Sequence, residues 1–179
     1  MGRPAGAPAS LVGDAPRYDD AVAKHVTVGV GRRSARAILV DSEDRLVLIK
    51  RTKPGQAPYW TAPGGGVEVD DASVEAALHR ELAEELGAEV SGAARVFLFS
   101  SPSPAGVAVQ YFFLARLTRL DVEARSGEEF SDPSRGGYEL DRIDLQGGDL
   151  ESIDLMPVEL KEFILANREA LLAEVAAVG

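Results

Sequence analysis

A chain of 179 residues, 45% hydrophobic and 27% charged, is long enough for one compact domain with a short appendage and can bury a core without staples. It contains no cysteine, which excludes a disulfide framework, thiolate zinc sites and thiol nucleophiles together. The formal net charge of −10, from 29 acids against 19 bases, argues against a nucleic-acid partner because an acidic surface repels a phosphate backbone; a small phosphorylated ligand would need a local basic cluster or a bound cation.

Taken in chain order, residues 1–31 are rich in Gly, Ala and Pro and read as a mobile arm, with room for one strand at 25–30 (HVTVGV). They lack the basic and apolar regions of a signal peptide, and no run of ~18 apolar residues spans a membrane, so a cytoplasmic protein with no membrane partner is expected. The domain itself is expected over residues 32–179. Residues 34–41 (SARAILVD) and 45–51 (RLVLIKR) read as strands joined by a turn at Ser42-Glu43-Asp44. A Pro/Gly loop, 52–58, precedes a short aromatic strand at 59–62 that runs into Pro63-Gly64-Gly65-Gly66. Residues 71–86 read as a helix stopped by Gly87. Strands follow at 94–100 and 107–117, then a polar loop at 123–137, a strand at 138–145 and one amphipathic helix over 157–177. Mixed strands with two helices at set places predict an α/β sandwich.

The helix over 71–86 carries the chemistry. With Val74 at zero and about 100° per residue, Leu78, Leu82 and Leu86 fall at roughly 40°, roughly 80° and roughly 120° and form the buried stripe. Glu85 falls at roughly 20°, inside that stripe, with Glu81 at roughly 340° beside it and Glu84 at roughly 280°. An unpaired carboxylate among apolar groups costs several kcal/mol, and clustered carboxylates repel one another. A hard divalent cation relieves both penalties, since carboxylate oxygens are its natural ligands. Arg80, one turn before Glu84, is an available partner for the remaining charge. Three glycines after a strand let the backbone turn tightly and approach a ligand.

Arg80-Glu81-Leu82-Ala83-Glu84-Glu85-Leu86-Gly87 resembles the Arg-Glu-U-x-Glu-Glu-x-Gly core of the Nudix box, a match expected by chance in such a chain about once in ten thousand. Trp60 and Pro63-Gly64-Gly65 are similar to the Trp-x-x-Pro-Gly-Gly segment of MutT-like Nudix hydrolases. The resemblance implies an α/β/α sandwich with a mixed sheet and the box as loop–helix–loop. It implies that Glu81, Glu84 and Glu85 bind Mg²⁺ (Mn²⁺ can substitute), with a carbonyl of Gly66 or Gly65 as a further ligand. The implied reaction is water attack on a phosphoanhydride in a nucleoside diphosphate linked to a group X, or in a nucleoside triphosphate. Counted back from Arg80, the box glutamate position holds Ala72; counted forward from Gly65, it holds Asp71. Asp71 or Asp70 is therefore expected to brace Arg80 in that glutamate's place. The last box position, usually a larger aliphatic, is Ala88.

In this family the general base comes either from the box helix or from a later loop, so Glu84 is one candidate and Glu128, Glu129 and Glu139 are the others. Arg36 or Arg51 would hold substrate phosphates; Arg36 alternates with Ile38 and Val40 on one strand face. Tyr59 or Trp60 would stack on a base, while Phe97, Tyr111 and Phe113 suit core packing better. His79, at roughly 140° on the wheel, reads as a surface residue. The competing function is a Nudix-fold module that senses a nucleotide or ADP-ribose without hydrolysis; the intact acids at 81, 84 and 85 argue against it. An isomerase of the same fold relies on a cysteine this chain lacks, and a transcription regulator would need an added basic domain. Dimers are frequent among the proteins it resembles, so a homodimer is an open expectation.

Overall fold

The computed structural model describes residues 29–126 and 136–177. Its frame is a mixed sheet of eight strands: β1 (Val30–Val40), β2 (Arg45–Thr52), β3 (Tyr59–Thr61), β4 (Gly64–Gly66), β5 (Ala88–Ser103), β6 (Gly106–Leu120), β7 (Gly137–Asp144) and β8 (Leu155–Met156). The order β5-β6-β1-β2-β3-β8 runs across it, with β4 paired to β1 and β7 to β2. β1 is the hinge of the design. It runs parallel to β6 along almost its whole length, but on its other side it meets β2 only at Leu39 and Val40, then β4 at Ser34, Ala35 and Arg36.

Alternation along β1 sends Ile38 and Val40 to one face of the sheet and Ala35, Ala37 and Leu39 to the other, so the sheet separates two cores. On the second face lies α1 (Val74–Leu86), docked through Ala77, Leu78, Leu82 and Leu86. Each such leucine stabilises the fold by roughly 1.5–3 kcal/mol on burial. The first face is covered by α2 (Asp149–Ser152), α3 (Val158–Ala166) and α4 (Arg168–Ala177), through Leu150, Leu160, Ile164, Leu171 and Val175.

The α/β character and the mixed sheet agree with the sequence reading, and the differences have local causes. The helix starts at Val74 rather than at 71, because Ser73 caps it with Oγ accepting from the Ala76 amide at 3.0 Å while Asp71 is engaged elsewhere. The single helix expected over 157–177 is two, broken at Asn167, whose amide Nδ2 donates to the Phe163 carbonyl at 2.8 Å. Strands β5 and β6 exceed their expected lengths, since pairing with β1 and with each other overrides the weak strand preference of their Ser, Gly and Pro residues. The glycine run is a strand, not merely a turn, and α2 and β8 carried no periodic signal. The proposed arm strand at 25–30 and the loop acids Glu128 and Glu129 lie outside the described residues, apart from Gly29 and Val30. Among the described residues no helix is long and apolar enough to cross a membrane.

Candidate active site

The site forms where β4 meets α1. β4 has no side chains, so the acids of α1 can come against its backbone. An added Cβ at Gly65 would overlap the Glu81 carboxylate, which makes glycine a requirement of close approach there. Glu85 turns to the same strand, its Oε2 accepting from the Gly64 amide at 2.6 Å. The helix ends immediately afterwards at Gly87, whose φ of 62° is the left-handed conformation that closes a helix.

Arg80 is the centre of the arrangement. Its Nε and Nη2 donate to the two oxygens of Asp71, each at 3.0 Å, its Nη1 donates to Glu81 at 3.0 Å and Glu84 at 3.1 Å, and its Nη2 also donates to the Gly66 carbonyl at 2.9 Å. Glu68 stands 3.8 Å away. Asp71 is the residue that braces the arginine, not Asp70. Its side chain is only 7% exposed, and it also accepts from the Glu68 amide at 2.7 Å, tying the glycine loop to the helix. The Arg80 hydrogen bonds, then that amide, hold the Asp71 carboxyl below its ordinary range, and Arg80 is raised in turn, chiefly by Asp71.

On β1, Arg36 donates to the Ala62 carbonyl at 2.7 Å. Burial lowers its pKa, the charges of Glu85 and Glu81 work against that, and Arg32 and Arg51 add to the lowering. Five carboxylates (Glu68, Asp71, Glu81, Glu84, Glu85) thus face two guanidiniums, a deficit of three positive charges. All the donors are hard oxygens, the ligand type a divalent cation of the Mg²⁺ class takes. By charge and donor chemistry the residues fit such an ion. Among the described residues, however, no three acidic or histidine side chains close on one point, because Arg80 bonds both Glu81 and Glu84. Glu84, 43% exposed against 18% for Glu81, is the more accessible of that pair.

The structure brings Arg36, Gly66, Arg80, Glu81, Glu84 and Glu85 together. The remaining predicted residues that the structure describes lie around β2. Arg51 stacks on Tyr138, its guanidinium carbon 3.5 Å from the ring centroid. Glu139 sits opposite Lys50 with an ion pair of 3.9 Å and is 65% exposed. Trp60 donates through Nε1 to Asp141 at 2.8 Å, under the Lys50 ammonium at 5.7 Å, and Tyr59 is half-buried beside it on β3. Phe113 is in the core and Phe97 stacks on Phe163 at 4.7 Å, as expected of packing residues; His79 is on the surface, 4.0 Å from Glu75. Sequence reasoning missed two supports: the Gly64 amide on Glu85, and Asp141 on Trp60. The latter joins residues 81 apart, with no local signal.

With this geometry in view, the comparisons with known proteins agree. A profile of the NUDIX domain matches residues 31–153, well over half of the chain. The chain belongs to the Nudix family, whose members are generally hydrolases, typically pyrophosphatases, and generally use divalent metal ions, although some are non-catalytic. A search of curated proteins gives no match. Similar solved structures include the NUDIX domain of Shewanella oneidensis NrtR complexed with ADP ribose, at 18% identity and a TM-score of 0.58 over 80% of this chain and 90% of that one. A NUDIX hydrolase from Nitrosomonas europaea follows at 14% identity and 0.57, over 78% and 88%. The MutT protein from Methanosarcina mazei Go1 is at 17% identity and 0.56, over 78% and 94%. At these identities the likeness is one of fold.

Proposed function

We propose that this chain is a Mg²⁺-dependent pyrophosphohydrolase that cleaves a phosphoanhydride in a nucleoside diphosphate-X or a nucleoside triphosphate. The observation that carries the reading is that Glu81 and Glu85 come against a strand without side chains, while Glu84 shares with Glu81 an arginine braced by Asp71. Glu81, Glu84, Glu85 and the Gly66 carbonyl would hold the ion, with Mn²⁺ a substitute. When bound, it supplies neutralisation of the pyrophosphate, polarisation of the attacked phosphorus and a lowered pKa for a bound water. The protein's own part is positioning and charge. Arg80 orients Glu81 and Glu84, Arg36 draws the phosphates, and Arg51 on Tyr138 is a second cation within their field. Glu84 is the favoured general base, being more accessible than Glu81; Glu139 and the loop acids Glu128 and Glu129 are its rivals. Tyr59 and Trp60 offer apolar surface to a base. A cytoplasmic protein, alone or as a homodimer, is what this reading expects.

The test is a panel of nucleoside diphosphate derivatives and triphosphates assayed with and without Mg²⁺, followed by product identification. Turnover is expected only with the metal, and Glu84→Gln is expected to reduce it by two orders of magnitude or more while the far-ultraviolet spectrum stays unchanged. The second reading, a nucleotide-sensing module, is favoured by the solved ADP-ribose complex of the similar NUDIX domain. Tight ADP-ribose binding without turnover across the whole panel would decide for it.

A further inference from the structure

One face of β1 changes character along its length. Val40 and Ile38 are in the larger core, whereas Arg36, Ser34 and Arg32, at successive alternate positions, are polar. The neighbouring strand β6 changes at the same level. Leu114 and Phe112 lie beside Ile38 and Arg36, then Gln110 beside Ser34 and Ala108 beside Arg32. Arg32, Ser34, Arg36, Ala108, Val109 and Gln110 line a cleft of about 130 Å³. Core packing asks for none of these polar residues.

Their partners are informative. Among the described residues several cations are committed: Arg45 to Asp41, Arg80 to Asp71, Arg116 to Asp44, Arg119 to Glu89 and Arg168 to Glu151. Among the described residues the side chains of Arg32, Ser34 and Gln110 make no hydrogen bond or ion pair, although Ser34 is buried. Two guanidiniums sharing a cleft favour an anion between them. Arg32 and Arg36 repel each other, and Arg36 lies in the field of Glu85 and Glu81. The cleft therefore adjoins the acid cluster and has the opposite sign.

We propose that this cleft is a second anion subsite, which takes a terminal phosphoryl group and so favours nucleoside triphosphates over nucleotide sugars, whose group X is neutral. The substrate preference rests on the pyrophosphohydrolase reading; the anion subsite does not. In the reaction, water oxygen forms a bond to the attacked phosphorus and the P–O–P bridge breaks. The bridging oxygen leaves with the pyrophosphate, held by Arg32 and Arg36, and the water proton passes to the general base. Ser34 and Gln110 donate to the same leaving group.

Calorimetric titration of the full chain with inorganic pyrophosphate in EDTA tests the subsite without any metal. Binding is expected, with a loss on the order of ten- to a hundredfold in Arg32→Ala, partial retention in Arg32→Lys and no change in Arg119→Ala, which removes an exposed cation at the other end of β6. Arg32 is exposed, so its variants keep the fold, and Gln110→Leu supplies an independent lesion. No pyrophosphate binding, or equal binding by wild type and Arg32→Ala, overturns the subsite. With Mg²⁺, Arg32→Ala should raise KM for a nucleoside triphosphate about tenfold or more and leave a nucleotide sugar unaffected; equal losses on both overturn the preference. If pyrophosphate binding depends on Arg32 but no substrate turns over, the subsite stands and the hydrolase reading falls.

Discussion

At the scale of single residues, the site depends on which carboxylate braces Arg80. The resemblance pointed to a position occupied by Ala72, and the structure fills the role from one residue earlier. Asp71 is bidentate on Nε and Nη2, a fixed fork geometry that Arg alone among the cationic side chains offers. The slack comes from the glycine run, which has one residue more than the family spacing needs before Arg80. Removing the brace leaves Arg80 free to pair with Glu81 and Glu84 in other geometries. Asp71→Ala is therefore expected to lower kcat/KM and apparent Mg²⁺ affinity by about 10–100-fold, the usual cost of losing an outer partner of a metal ligand. Adding Ala72→Glu to it should restore most of both, because the carboxylate returns to the family position. Steady-state kinetics at varied Mg²⁺ reads the outcome, and no recovery in the double variant would show that Asp71 has another role.

At the scale of elements, the tight β1–β2 turn is organised by Asp41. Its Oδ1 accepts from the amides of Glu43 and Arg45, and its Oδ2 from Arg45 Nε at 3.0 Å and Nη2 at 2.9 Å, with Arg142 3.3 Å away. Burial works to raise this carboxyl, but the Arg45 side chain and then the amides outweigh it and hold it below 3.8. A folded-state pKa below the unfolded one gives stability that is complete above the unfolded value and is lost as pH falls through the folded value. Asp41→Asn should therefore melt several degrees below wild type at pH 7, and the gap should close as pH falls below about 4. Thermal melts at pH 7 and pH 3 measure it. That turn, the strands it joins and α1 were legible because they rest on local signals: Ser-Glu-Asp between apolar runs, period-two alternation, and a leucine every fourth residue. The acids of α1 were legible for the same reason, since a helical wheel places Glu85 among leucines without reference to the rest of the chain. The Asn167 break was not, because the apolar pattern continues across it and only the Asn167–Phe163 bond interrupts the helix. Likewise β8 exists only through its pairing with β3, and Asp141 meets Trp60 only because β7 and β3 flank β2.

At the scale of the whole molecule, the family match ends at residue 153, whereas the larger core continues through Leu155, Leu160, Ile164, Leu171 and Val175. At roughly 1.5–3 kcal/mol each, five buried aliphatic side chains amount to about 7–15 kcal/mol, as much as the entire stability of an ordinary domain at about 5–15 kcal/mol. A chain ending at residue 153 is thus expected to lack a cooperative thermal transition by circular dichroism; a sharp melt near that of the full chain would show that α3 and α4 are dispensable. The change of partner along β1 has a last consequence. Where β2 leaves β1 and β4 takes its place, the sheet forks, and one prong carries β4 with α1 while the other carries β2, β3 and β7. A nucleotide gripped at once by Arg36 and Arg51 would clasp both prongs, and binding only the folded form adds about 2.7 kcal/mol at a hundredfold excess over Kd. Differential scanning fluorimetry should then register a rise in Tm for a true ligand even in the Glu84→Gln protein, and ligands that touch one prong alone should raise it less.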